Sequence, residues 1–292
     1  MINRLAIFVA ALLILPPTAL LLAGQEWQAA APIAGDVAVP ALLVTIALCA
    51  FGLLLDLLTF RRNGHSLLRS QRSYLLWCSI AGAVTGMLLA WLNLFADAWA
   101  TPPDSTTVTL LLAMLCGSVL LPAVLIARLW LARLPSMVRL STRRFALPAL
   151  SEEAAAKSLL LAALIGLLVG TIQIDYLSWL FWLSPLLLLV ALQLLWHEST
   201  VFSGLPQGDW SRVLLGALSG ILVCGIALAS YRMGGGAIYL ALDTWQLLSG
   251  FALFGLLCLQ LGDIVAEHWR GKPRSEIFKK KPFPIPIVTK KD

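Results

Sequence analysis

Eight long apolar runs punctuate the chain: Leu5–Gly24, Val39–Leu58, Tyr74–Phe95, Val108–Leu131, Ser158–Ile174, Leu177–Trp196, Val213–Ala229 and Ala237–Gly262. Each approaches the roughly 20 residues a helix needs to cross the hydrocarbon layer. None alternates apolar and polar residues with period two, which argues against strands of a membrane barrel. Gly and Pro inside the runs are tolerated by membrane helices.

Composition points the same way. Of 292 residues, 60% are apolar and 12% charged, against about 25% charged in a soluble domain. A soluble globule of this size cannot hide so much apolar surface. A soluble enzyme, a secreted domain, a disordered tail and an ordinary nucleic-acid binder are excluded. The expected fold is all-α: a polytopic helical membrane protein with eight transmembrane helices. The count becomes seven if the first run is a cleaved signal peptide. Pro16-Pro17 in mid-run and Leu21-Leu-Ala-Gly24, a poor cleavage site, favour a retained helix.

Charge sets the expected orientation. With the N-terminus inside, twenty of the twenty-one Lys and Arg residues fall on the cytoplasmic side, and only Arg232 falls outside. Glu26, Asp36, Asp97, Asp104, Asp175 and Asp243 are external. Both termini are expected in the cytoplasm. Trp27, Trp99, Trp179, Trp182 and Trp245 fall near the outer interface. Trp77, Trp130, Trp196, Trp210 and Trp269 fall near the inner one, where an amphipathic indole prefers to sit.

The chain divides into a first four-helix half (1–132), a basic cytoplasmic loop (133–157), a second half (158–268) and a basic, Pro-rich tail (269–292). In the loop, Met137–Ala149 is expected to lie on the surface, and Ser151-Glu-Glu153 to cap the next helix. Gly82-Ala-Val-Thr-Gly86 in the third run matches Gly216-Ala-Leu-Ser-Gly220 in the seventh, and suggests a 4+4 parallel repeat. A third G-x-x-x-G, Gly166 with Gly170, joins them. Such spacing lets helix backbones approach closely, either within the chain or in a dimer. Packing within the chain is the simpler expectation for three such motifs.

The five cysteines lie inside apolar runs and read as small buried hydrophobes. Ionisable groups at membrane depth are functional candidates by default, and few occur. Asp56 and Asp263 sit near inner span ends. His197-Glu198 and Glu267-His268 add imidazoles and carboxylates at the same face. Neither pair has the i, i+3 or i, i+4 spacing of two ligands on one helical face, so no metal site is expected. Bis-histidine haem would need histidines at mid-membrane depth, and none is there. Mid-span polar groups are Gln193, Gln260, Thr85, Ser219 and Ser249. Hydrogen bonds between helices account for them, with Gln193 and Gln260 as the candidates to line a cavity. There is no phosphate-binding loop, zinc-protease motif or nucleophile elbow, and no catalytic residue is assigned. No cofactor is expected, although a quinone or a lipid stays open. In the tail, Lys279, Lys280 and Lys281 precede Pro-Phe283-Pro-Ile285. The lysines suit anionic lipid at the cytoplasmic face. An extended segment anchored by Phe283 and Ile285 suits a protein partner.

Phe181-Trp-Leu-Ser-Pro-Leu-Leu-Leu-Leu189, Gly208-Asp-Trp-Ser-Arg212 and the eighth run resemble the C-terminal part of a group of bacterial multi-span inner-membrane proteins without established function. The resemblance covers about a third of the chain and implies a bacterial cytoplasmic membrane. In that group the seventh span is rich in Trp, Glu and Asn. Here Cys224–Tyr231 stands at that place, so the resemblance implies no activity and favours a structural role. Three functional expectations remain. The first is a non-catalytic subunit or assembly and anchoring component of a membrane complex. The second is a transporter, flippase or enzyme for a lipophilic substrate between the halves. The third is a quinone-reactive anchor of a redox complex.

Overall fold

The structure, a computed structural model, describes residues 2–22, 37–100, 106–135, 137, 146, 151–240 and 242–270. In chain order it contains α1 (Ile2–Leu22), α2 (Ala38–Asn63), the one-turn α3 (Leu67–Ser70), α4 (Arg72–Ala96), β1 (Trp99–Ala100) and α5 (Thr106–Leu131). There follow α6 (Glu152–Ile172), α7 (Ile174–Leu195), a 3-10 turn (Leu205–Gln207), α8 (Ser211–Met233), β2 (Tyr239–Leu240) and α9 (Thr244–Arg270). Among the described residues, seven helices are long and apolar enough to cross a membrane, namely α2, α4, α5, α6, α7, α8 and α9. In α1 the described apolar stretch is shorter, Ile7–Pro16.

Local chemistry sets the helix ends. Gly64, at φ 71°, closes α2 and returns its N–H to Phe60 O at 2.7 Å, a left-handed cap that glycine adopts without strain. Ser151 Oγ accepts from Ala154 N–H at 3.3 Å at the start of α6, and Glu152 and Glu153 occupy the first turn, where carboxylates suit the positive end of the dipole. Helix α9 begins at Thr244, not at Ala237 where the apolar run begins. Tyr239 and Leu240 instead form β2, antiparallel to β1 with Trp99 opposite Leu240 and Ala100 opposite Tyr239. Hydropathy alone cannot separate a short strand from the start of a helix. Gln246 Oε1, accepting from Asp243 N–H at 3.0 Å, fixes the true start.

Two antiparallel hairpins, α4–α5 and α8–α9, pack against each other, with α5 on α8 and α4 on α9. Helix α2 lies on α5 and α8; α7, paired with α6, lies on α9; and α1 reaches α4, α6 and α7. The buried core is built chiefly from α5, α7 and α9, with smaller contributions from α1, α2, α4, α6 and α8. Helix α2 turns Val39, Leu42, Ile46, Leu53 and Leu54 outward, as a lipid-facing helix does. Cys78, Cys224 and Cys258 are buried, whereas Cys49 is exposed on α2 and Cys116 half-buried. The expectation that all five are internal fails at Cys49, because α2 contacts its neighbours along one side only.

The glycines sit where backbones meet. A methyl group at Gly117 of α5 would strike the carbonyl of Gly82 and, at 2.9 Å, Gly86 Cα. One at Gly255 of α9 would strike the carbonyl of Gly216 and, at 2.7 Å, Gly220 Cα. Gly166 and Gly170 of α6 face Leu180, Phe181 and Ser184 of α7. All three motifs are occupied by contacts within the chain.

Candidate functional site

The described polar side chains concentrate at one end of the bundle. There α2, α5, α7 and α9 finish, α4, α6 and α8 begin, and most of the described arginines lie. At this basic end Arg212, in the first turn of α8, pairs with Asp263 of α9 through Nη2 and Oδ2, their side chains 13% and 15% exposed. Arg212 Nη1 also donates to Thr200 O at 3.4 Å. Removing either partner would leave a poorly solvated charge.

The segment between α7 and α8 is drawn in against this pair. Val201 N–H donates to Gln260 Oε1 at 2.8 Å, and Ser199 Oγ to Glu267 Oε1 at 3.5 Å. Gln260 lies seven residues before Glu267, roughly 10 Å along α9. Val201 is thus held well inside the level of the helix end, and both Thr200 and Val201 are buried. The turn is closed by Thr200 N–H donating to Ser203 Oγ at 2.7 Å and by Gly208 at φ 77°. Asp209 Oδ1 then accepts from Ser211 N–H at 2.9 Å and from the Ser211 hydroxyl. These two bonds hold the Asp209 carboxyl below the ordinary carboxylate range. From α4, Tyr74 donates its hydroxyl to Gly262 O at 3.1 Å and lies within electrostatic reach of Asp263 and Arg128.

Deeper in the bundle, Gln193 of α7 and Gln260 are both 0% exposed. Among the described residues the Gln193 amide oxygen and nitrogen, and Gln260 Nε2, have no hydrogen-bond partner, which is costly in a buried place. The expected bonds between helices are not made by the hydroxyls. Thr85 donates to Ala81 O, Ser219 to Gly216 O and Ser249 to Gln246 O. Each hydroxyl satisfies itself on its own helix, which a Ser or Thr can always reach.

The acidic and imidazole groups of this face separate into distinct contacts. His197, at φ 53°, places Nδ1 3.4 Å from Glu152 Oε2, both well exposed at 82% and 70%, so solvent screens the pair. Glu198 returns its backbone N–H to Gln193 O at 3.0 Å. Asp56 Oδ1 accepts from Leu68 N–H at 3.1 Å, tying α3 to α2. His268 lies in the last turn of α9, and its side chain is outside what the structure describes. Among the described residues, no group of three or more His, Cys, Asp or Glu side chains is placed to hold a metal ion. Lys279, Lys280, Lys281, Phe283, Ile285 and nearly all of Met137–Ala149 lie outside the described residues.

At the opposite end Asn93 brackets β1, donating Nδ2 to Trp99 O at 2.7 Å and accepting from Trp99 N–H at 3.2 Å. Trp99 lies against Trp182 with ring centroids 5.1 Å apart. Nearby, Asp97 closes α4, and desolvation pushes its carboxyl above the ordinary range.

Sequence reasoning counted Arg212 only as a topology charge and missed its role. A signal existed: Asp263 lies inside a span end, and Arg212 is the single Lys or Arg between the sixth and seventh runs. Tyr74, Thr200 and Val201 carried no such signal, because backbone contacts fix them. No protein-family model, curated protein or solved structure matches the chain.

Proposed function

We propose that this chain is a non-catalytic subunit, or an assembly and anchoring component, of a membrane complex. One observation carries the reading: Gln193 and Gln260 are wholly buried, and the Ser199–Val201 segment is drawn into the end of the bundle and tied to α8 and α9. Of the two, Gln260 holds the fold together through Val201, and function resides on the surfaces. The basic end faces the cytoplasm of a bacterium in this reading, supported by the one-sided distribution of Lys and Arg. The tail residues Lys279, Lys280 and Lys281 would sit on anionic lipid, and Phe283 and Ile285 would dock a protein partner. The test is purification of the full chain from its native membrane in mild detergent, with and without residues 271–292. Partners that co-purify with the full chain and are lost with the tail support the reading. A solitary chain holding a lipid or quinone in both preparations overturns it.

A second reading has its own support. Among the described residues neither Gln193 amide atom has a hydrogen-bond partner, and polar groups at membrane depth mark substrate paths by default. A lipophilic molecule with a polar head, moving between two related halves, would engage that amide in an opened state. The matched glycine contacts of the two hairpins and the β1–β2 pair between them support the two-half arrangement. Substitution of Gln193 by Leu separates the readings. A structural amide tolerates the change, and a substrate-path amide loses transport or turnover.

A further inference from the structure

The turn joining α2 to α4 collects exposed cations on a fixed frame. Arg61, Arg62, Arg69 and Arg72 are all exposed within twelve residues. Arg133, from beyond α5, adds a fifth cation by donating Nη1 to Thr59 O at 3.4 Å. From Asp56 to Trp77 the single acidic residue is Asp56 itself, and it is buried and engaged by Leu68 N–H. That bond folds the turn back. Asp56 lies seven residues before Asn63, roughly 10 Å up α2 from its end. Helix α3 therefore runs beside the last two turns of α2 rather than beyond them. Leu67 and Leu68 pack on the core. The guanidinium carbon of Arg69 stands 3.8 Å from the Phe60 ring centroid, which fixes its plane.

The same wall is apolar immediately alongside. Leu57, Leu58, Leu76 and Trp77 are exposed, and an exposed Trp marks the headgroup level of a bilayer. The arginines thus stand at headgroup depth, over a surface fit for acyl chains. Arg presents a planar fork of donors that matches phosphate oxygens, and one already stacked on a ring loses little freedom on binding.

We propose that the α2–α4 turn is a seat for the anionic headgroup of a membrane phospholipid, with Arg61, Arg69 and Arg72 as phosphate-binding groups and Phe60 and Asp56 as positioning residues. This seat is separate from the looser anionic-lipid contact proposed above for the tail lysines. It rests on the membrane-spanning architecture and not on a protein partner.

The full-length protein is placed in nanodiscs of phosphatidylcholine with a minority of phosphatidylglycerol, and retained lipid is counted by native mass spectrometry. The wild type retains phosphatidylglycerol in preference, and the R61Q/R69Q/R72Q protein retains about tenfold less. Phe60→Ala keeps every charge and still lowers retention. Asp56→Ala raises the net charge by one and lowers retention as well, where a mere count of charges requires a rise. The K279Q/K280Q/K281Q protein keeps wild-type retention, so loss of the tail's role leaves this site testable. Unchanged retention in the triple arginine variant overturns the proposal. So does full retention in Phe60→Ala, because unpositioned charge would then suffice, or a loss confined to the lysine variant.

Discussion

In the α4–α5 hairpin, a methyl group at Gly117 would meet the carbonyl of Gly82 and the backbone of Gly86. In α8–α9, one at Gly255 would meet the carbonyl of Gly216 and the backbone of Gly220. Each hairpin also sends one strand residue pair into the β1–β2 ladder at the far end. At the basic end the likeness stops. There α8–α9 carries the Arg212–Asp263 ion pair and the Gln260 clasp on Val201, whereas α4–α5 buries Leu75, Cys78, Leu121 and Leu125 and reaches α9 through the Tyr74 hydroxyl. The difference separates two jobs. Small residues set how close helices come, since lipid offers no hydrophobic drive for association. Polar groups set what the bundle end holds, and the second hairpin supplies there an ion pair and an amide clasp.

The strongest way to break the likeness is to fill its contacts. Gly117→Leu and Gly255→Leu should each force backbones apart and cost about 3 kcal/mol or more. Thermal melts in detergent should show comparable falls for both. A large fall in one and a slight fall in the other would mean that the two glycine contacts are not equivalent.

The asymmetry at the basic end comes next. Asp263→Ala leaves Arg212 poorly solvated and should cost about 3 kcal/mol. Tyr74→Phe, the nearest polar loss from the other hairpin, removes one hydrogen bond worth about 1 kcal/mol. The pair Arg212→Met with Asp263→Leu should recover most of the loss, because both charges leave together. A double variant no better than Asp263→Ala would show that the charges do more than satisfy each other.

The spans were legible in the sequence because a run of about 20 apolar residues has few folded options in any solvent. Val108–Leu131 and Tyr74–Phe95 differ from α5 and α4 by two residues or fewer at each end. Glycine spacing in the two matched motifs was visible, yet the partners Gly117 and Gly255 were not, because each is a lone glycine facing a motif. The basic-end site was only half legible. Asp263 stood out as a charge at membrane depth, but Arg212 hid among topology charges. The drawn-in Ser199–Val201 segment is fixed by backbone N–H and C=O groups, which every residue has. Ala237–Leu242 was read as helix because a strand of two residues leaves no period to detect.

The two buried glutamines sharpen the contrast within the second half. Gln260→Leu strands Val201 N–H but removes an unpartnered Nε2, so a net loss of about 1 kcal/mol is expected. Gln193→Leu removes two unpartnered atoms and should stabilise the fold by about 1 kcal/mol. Urea or thermal unfolding in detergent reads both signs. A destabilised Gln193→Leu protein would mean that this amide is engaged in the working state.

The smallest effects distinguish the hairpins by pH, and with opposite signs. Asp209 begins the second hairpin, and its carboxyl is held low by two bonds from Ser211. Its stabilisation is present above the ordinary Asp value of about 3.9 and is lost as pH falls through the lower folded value. At the corresponding start of α4, Gln71 makes no side-chain cap bond, so nothing there titrates away. Asp97 ends α4 with its carboxyl raised by desolvation. A raised carboxyl disfavours the folded state while charged, so its cost is present above the folded value and is relieved as pH falls toward 3.9. Melting curves of the wild type against Asp209→Asn should therefore differ at pH 7 and converge only as pH falls below the lowered folded value. Against Asp97→Asn they should converge as well, but with the wild type the less stable protein at pH 7. Both carboxyls lie near solvent, so the shifts will be small, and only their opposite signs are diagnostic. Shifts of the same sign would mean that the two ends of these hairpins do not differ electrostatically in this way.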